Sequence, residues 1–423
     1  MVSIAMSYAE LDRATLARLL PELLLSGQLI DRSGMAHCIG AFGRETMAQI
    51  AIDEWMSASP VYTKRMRSAL KITGDGVADM FKCLQLDIGA PPQFMDFRYT
   101  IHDEYHGEFV LNHCGALMDV EPMGDDYVTS MCHDIEDPTF DATAIATNRR
   151  ARIRPIHRPP RRPADQHPHC AWTVTIEPDR DELPLPEGSI IMGTTRAANV
   201  ELSPITAGGE GHNNYIGAVW EDLRFADWSH SALIRMAEEV ALQHQLLALG
   251  FAMSVREKSA SEAQADEIFR KQLTGISGLS ADRLRHCLAV EPDAEGLAAV
   301  LRIHPILGPE QYVGARITIN GEGAQRSVQL RLPGNSDAIA DNGWIAFIDP
   351  EHLEPVLAMA SAVHPTWSAV TGHRDGEDLV IDIARGAAIK ESGEVAIARF
   401  SSGATFEFAD RGIPLSITPV SAG

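Results

Sequence analysis

The sequence predicts an α+β protein of two domains, each a helical section followed by a small antiparallel sheet with a packed helix, the two reading as a tandem pseudo-repeat. Three observations predict it. At 423 residues the chain exceeds the size at which one hydrophobic core stops growing. Apolar residues at 45% against 22% charged are enough to bury a core. Helical periodicity gives way to strand-like alternation once in each half, in the same order.

Taken in order, Met1 to Leu25 carries apolar residues interrupted by Glu10, Asp12, Arg13, Arg18 and Glu22. That is the pattern of an amphipathic helix, not of a secretory signal with its unbroken apolar core. A second helix is expected over 34–56, where Met35, Ile39, Phe42, Met47, Ile50 and Ile52 recur at helical spacing, and Pro60 is its stop. A third covers 62–72, Gly74-Asp75-Gly76 turns the chain, and a fourth spans 77–85. Aromatic or β-branched runs at 94–101, 108–112 and 171–176 read as strands, and 127–135 reads as helix. The stretch 149–169 holds seven arginines with prolines and histidines and no periodicity. It reads as a solvated loop offsetting the acidic surface, the functional alternative being a patch that grips a substrate carboxylate. Linker composition at 178–188 sets the division: a His/Cys-rich domain over 1–178, a connecting segment over 179–226, and a second α+β domain over 227–423.

The repeat is read from four pairings. They are 31–55 with 227–251, 74–87 with 278–291 (placing Cys83 opposite Cys287), Pro138-Thr139-Phe140 with Pro365-Thr366-Trp367, and AWTVTI at 171–176 with DLVIDI at 378–383. The alternative is two unrelated α+β domains whose elements fall in order by chance.

Thirty-six basic and fifty-eight acidic side chains give a net charge of −22, a field that repels phosphate backbones and anionic lipid. Nucleic acid and membrane are therefore excluded as expected partners, leaving a small-molecule substrate and a second copy of the chain in a homodimer. Without a signal or a run of about 20 apolar residues, the expected location is the cytoplasm. Six cysteines are too few for a disulfide scaffold.

Five of the six cysteines adjoin a histidine (His37-Cys38, His113-Cys114, Cys132-His133, His169-Cys170 and His286-Cys287), where scatter gives about half a pair. Imidazole and thiolate suit Zn²⁺ or Fe²⁺, so His102, His106, His113, Cys114, Cys132 and Cys170 are the candidate metal ligands. The spacing is that of no zinc finger, and neither C-x-x-C nor H-E-x-x-H occurs. A cysteine nucleophile is the other chemistry, with Cys114 beside Gly115, or Cys132 with His133 as base and Asp134 behind it, as candidates. The bland reading is buried thiols with histidines hydrogen-bonded nearby. In the second half, 228–249 is an amphipathic helix, and Glu238, Glu239 and His244 lack the Glu-x-x-His spacing of a di-metal bundle.

The run FVLNHCGALMDVEPMGDDYVTSMCHDIEDPTF, followed by HPHCAWTVTI, resembles the L-2-amino-thiazoline-4-carboxylic acid hydrolase family. In that pattern one cysteine follows a strand, a second lies a helix further on before an acidic residue, and a third opens a final strand. Here they are Cys114, Cys132 with Asp134, and Cys170. The resemblance covers about residues 30 to 178 and implies an α+β domain and hydrolytic opening of a C–N bond in a small heterocyclic or amide-like molecule. The Arg/Pro insertion before Cys170 and the second domain depart from the pattern, and the second half lacks counterparts of the three cysteines. The functional expectation is thus a C–N hydrolase using a Cys/His site or a His/Cys-bound metal. The alternative is a non-catalytic protein binding a metal or small ligand, with a structural or dimerising second domain.

Overall fold

The computed structural model describes residues 3–5 and 7–408. Ser3–Ala5 forms strand β1. Helices α1 (Arg13–Phe42), α2 (Arg44–Ala69) and α3 (Val77–Leu84) follow, then the hairpin of β2 (Met95–Ile101) and β3 (His106–Cys114). Next come α4 (Gly115–Val120), α5 (Asp125–Thr129) and α6 (Glu136–Ile145), with a π-helical turn at Ser130–Ile135 joining the last two. Strands β4 (Ala151–His157) and β5 (Cys170–Ile176) and helix α7 (Glu187–Met192) complete the first half, and α8 (Arg196–Asn199) opens the connecting segment. The second half runs α9 (His230–Lys258), α10 (Glu262–Leu288), α11 (Ala294–Ile303), α12 (Glu310–Val313), β6 (Arg316–Asn320), β7 (Ser327–Leu332), α13 (Asp337–Ala340), α14 (Glu354–Val363), β8 (Ala369–Asp375), β9 (Asp378–Ala384) and α15 (Gly393–Ala398).

The result is the expected α+β, two-part architecture, and its topology repeats. The first sheet is ordered β2-β3-β5-β4 and the second β6-β7-β9-β8, with β1 added beside β6; all pairings are antiparallel. After each sheet a short helix returns to the second long helix of its own half, α7 onto α2 and α15 onto α10. Side-chain oxygens start the long helices where the sequence offers them: Asp12 accepts from the Thr15 N–H, Ser229 from Ala232 and Ser261 from Gln264.

The halves share one helical core. α1 packs along α9 and α10, and α2 along α9, burying Leu16, Leu20, Leu23 and Leu24 on one side and Val240, Leu246 and Leu247 on the other. Each such fully buried aliphatic side chain contributes about 1.5–3 kcal/mol. Two glycines allow the close crossings. A Cβ on Gly34 of α1 would lie 2.9 Å from the Phe251 ring and 3.1 Å from Gln272, and one on Gly250 of α9 would lie 2.8 Å from the Glu54 carbonyl oxygen. The two contacts are mutual images, which puts Gly34 opposite Gly250 and Glu54 opposite Gln272 in the repeat. No helix among the described residues is long and apolar enough to cross a membrane.

Several local expectations are corrected. The helix expected over 1–25 starts only at Arg13, after strand β1, and runs on as α1 to Phe42; the one expected over 34–56 is divided between α1 and α2 at Gly43, whose φ of +83° breaks the periodic run at a place its apolar residues do not mark. Residues 1, 2 and 6 lie outside the described residues. Pro60 does not stop α2 but sits buried inside it, where packing against α7 and α9 outweighs one lost backbone hydrogen bond. The Arg-rich stretch is ordered at its start as β4, an edge strand in which Pro155 removes an amide proton at little cost to the sheet. Its arginines pair with carboxylates: Arg154 with Asp141, Arg158 with Asp137, Arg161 with Glu121 and Arg162 with Asp125. Of the four repeat pairings only AWTVTI with DLVIDI falls on equivalent elements, β5 and β9. Cys83 lies on α3 but Cys287 ends α10, and 31–55 spans the α1–α2 break whereas 227–251 lies mostly in α9.

Candidate functional site

The expected ligands do not assemble as a set. His102 and His106 flank the exposed β2–β3 turn, His102 beside Glu108 at 3.3 Å and His106 beside Asp103 at 2.9 Å. Cys114 closes the other end of β3, eight residues and therefore about 26 Å from His106. Among the described residues no group of three or more His, Cys, Asp or Glu is placed to hold a metal ion. His113 faces His169, with ring centres 5.6 Å apart, and burial lowers its proton affinity.

The Cys132-His133-Asp134 run does not form a triad either. It lies in the π-helical turn, which sends consecutive side chains to different faces: Cys132 is buried, Asp134 is exposed, and His133 Nε2 lies 2.7 Å from the Pro159 carbonyl oxygen. Cys114 is held structurally. Its Sγ accepts from the Leu117 N–H at 3.4 Å, capping α4, and its own N–H donates to His169 Nδ1 at 3.1 Å. Burial, with Arg161 nearby, pushes His169 down to about 4, which leaves that ring nitrogen free to accept.

Cys114, Cys132 and Cys170 are all buried. Each thiol feels the Glu136 carboxylate, and Cys132 feels both other thiols. Burial first, and Glu136 second, raises all three above an ordinary thiol, Cys114 to about 12. Glu136 is itself pushed up by burial to about 8, with Oε2 lacking a hydrogen-bond partner among the described residues. These are protonated thiols around a protonated carboxyl, the opposite of an activated nucleophile.

The residues that do shape a site were passed over in the sequence. A cavity of about 520 Å³ lies between α1, α2, the α4–α5 segment with its π-turn, and α15. Its walls are apolar, with four methionines (Met35, Met47, Met123 and Met131), and Phe400, 70% exposed, stands at the rim. Two charged groups of α1 line it. Asp31, 5% exposed, accepts from the Trp55 indole N–H through Oδ2 at 2.8 Å. Arg32 donates from Nε to Asp119 Oδ2 at 3.2 Å, and Asp119 also accepts from the Ser402 N–H at 2.7 Å and from the hydroxyls of Ser401 and Ser402.

Behind Asp31 stands Glu54 of α2, fully buried. The two carboxyls are within hydrogen-bonding reach of each other, and burial with the like charge of Asp31 raises Glu54 well above the usual carboxylate range. Burial raises Asp31 too, against the lowering by Arg32, Trp55 and Glu54. Burial and each other's charge thus work against ionising both carboxyls side by side. A third buried carboxyl, Asp87, held up by burial to about 6, accepts from the Tyr62 hydroxyl at 2.9 Å. The sequence signal was available. Asp31 falls four residues before Met35 and seven after Leu24, and Glu54 seven after Met47 and four before Ala58, so both carboxylates occupy core-facing positions of amphipathic helices.

The corresponding volume of the second half is filled. Counting from the matched glycines, Asp31 corresponds to Leu247 and Met35 to Phe251; counting from Glu54 and Gln272, Ala51 corresponds to Phe269. Phe251 and Phe269 stack with centres 6.2 Å apart, and Phe347 packs edge-on against Phe269 at 4.4 Å. One half has aromatic rings where the other has a cavity floored by a carboxylate. No family model, curated protein or solved structure matches the chain.

Proposed function

We propose that the protein binds a small, largely apolar molecule in the cavity of its first half, and that the second half is the structural partner that braces it. The observation that carries this reading is the asymmetry of the repeat: Met35, Ala51 and Asp31 line open space where Phe251, Phe269 and Leu247 are packed solid. A cavity of this size with apolar walls and few polar groups has the character of a ligand site. The π-helical turn along its wall, through Ser130, Met131 and Ile135, is a form of backbone often found at such sites.

The test copies the second half into the first. The neutral dye N-phenyl-1-naphthylamine is titrated into the parent protein and into Ala51→Phe, with thermal midpoints compared to establish folding. The reading expects saturable uptake near one equivalent by the parent and at least about tenfold weaker uptake by the folded variant. Equal uptake by both, or none by the parent, refutes it.

A second reading follows the family resemblance: hydrolysis of a C–N bond, with Cys114 or Cys132 as nucleophile or with a bound Zn²⁺ or Fe²⁺ activating water. That Glu136 acts on all three buried thiols, Cys114, Cys132 and Cys170, favours it; the raised proton affinity of those thiols weighs against it. Incubation with L-2-amino-thiazoline-4-carboxylate, followed for ring opening with and without added metal, tests it. No turnover by the purified protein under either condition rejects it for that substrate.

A further inference from the structure

The ligand of this cavity can be given a charge. We infer that the site takes a monocationic amine with an apolar tail, its ammonium group donating to Asp31. This rests on the cavity being a ligand site, as proposed above, and adds the chemistry of recognition.

The first argument is a count of hydrogen bonds. Three buried oxygens of the pair, Asp31 Oδ1 and both of Glu54, receive no donor among the described residues. A buried acceptor without a donor costs about 1–3 kcal/mol, more where the group is charged. Asp31 lines the cavity and Glu54 does not, so the route by which a donor from outside reaches the pair is through the cavity to Asp31.

The second argument is a count of charges facing the cavity. Asp31 and Asp119 contribute two carboxylates and Arg32 one guanidinium, and Arg32 is already bound to Asp119. That leaves Asp31 as the lining carboxyl without a basic partner on a mostly apolar surface, a place that one positive charge fits. The lining fits a cation: Tyr127 already carries the Arg44 guanidinium over its ring at 5.7 Å, and methionine sulfurs are polarisable. The competing handle is Arg32 Nη2, a buried donor without a partner among the described residues, which would select a carboxylate instead.

Three probes of one shape decide the matter: octylamine, octan-1-ol and octanoate, each below its aggregation concentration and at constant ionic strength. Binding is followed by calorimetry and by the fluorescence of Trp55, whose indole touches Asp31. The inference expects octylamine to bind the parent at least about tenfold tighter than octanol, with octanoate weakest, as a charge-assisted bond of about 1.5–3 kcal/mol requires. Asp31→Asn should bring amine and alcohol to within about twofold of each other, chiefly by weakening the amine. Equal binding of all three probes overturns the inference while leaving the cavity a ligand site. Preference for octanoate overturns it in favour of Arg32, and binding of none overturns the inference and the underlying reading together. The amine-to-alcohol ratio is read on the parent protein, so the inference stays exposed even if Asp31→Asn does not fold.

Discussion

Replacing Glu54 by glutamine, the residue that already occupies the matched position 272, should change how stability depends on pH. Glu54 is fully buried, and burial followed by repulsion from Asp31 holds its carboxyl well above the ordinary value. In the unfolded chain a glutamate ionises near pH 4.3, so above about that pH the unfolded state sheds a proton that the folded state keeps. The sign follows. A carboxyl raised on folding contributes fully below its unfolded pKa, and its contribution is lost as pH climbs towards the folded one. The loss from this single group is at most about 1.4 kcal/mol per pH unit, over the range in which the folded carboxyl stays protonated. Glu54→Gln still offers Asp31 an N–H but no longer titrates. Urea midpoints of parent and variant, multiplied by their measured m values, should therefore diverge in favour of the variant as pH rises, by no more than that slope. Asp87 and Glu136, also raised by burial, titrate in both proteins and cancel in the difference. A difference that stays constant from pH 5 to pH 7 would mean that Glu54 is ionised in the folded protein, and the carboxyl pair as described would not exist.

Two further outcomes follow from the packing and from the thiols. Gly250→Ala places a methyl group 2.8 Å from the Glu54 carbonyl oxygen and should lower stability by about 1–3 kcal/mol, even though alanine favours a helix by about 1 kcal/mol; an unchanged thermal midpoint contradicts the close crossing of α2 and α9. Iodoacetamide at pH 7.5 should reach the partly exposed Cys287 before any other cysteine, with Cys114, Cys132 and Cys170 reacting only after denaturation; mass mapping that finds one of those three labelled first in the native protein revives the nucleophile reading.

The parts of the fold that depend on neighbours in sequence were legible, and those that depend on distant partners were not. AWTVTI alternates because β5 is flanked by β3 and β4 and buries Trp172, Val174 and Ile176, so its strand could be read directly. β4 was hidden because Arg152, Arg154 and Pro155 break the apolar alternation, and their settlement depends on folding: Arg154 pairs with Asp141 and Arg152 donates to carbonyl oxygens, that of Asp181 among them. The apparent match of Cys83 with Cys287 arose from a turn-then-helix pattern common to many helices; only strand order reveals the true alignment. At the site, adjacent histidines and cysteines drew notice by their frequency, yet a strand or a turn sends neighbours apart, and His102 and His106 ended on the far edge of the sheet. Asp31 and Glu54 were visible as charges on buried stripes, but their meeting needs the pairing of α1 with α2, which periodicity alone does not supply.

The contact between Asp119 and the Ser401–Ser402 segment ties together residues some 282 positions apart. At a ribosome adding about 5–20 residues per second, Asp119 emerges on the order of 15 to 55 seconds before the serines that will satisfy it. Throughout that interval the methionine-lined wall stands without Ile397 and Phe400 to cover it. Maturation of this chamber is thus a late, long-range event, and the newborn first half exposes a greasy trough to whatever holds unfinished chains in solution.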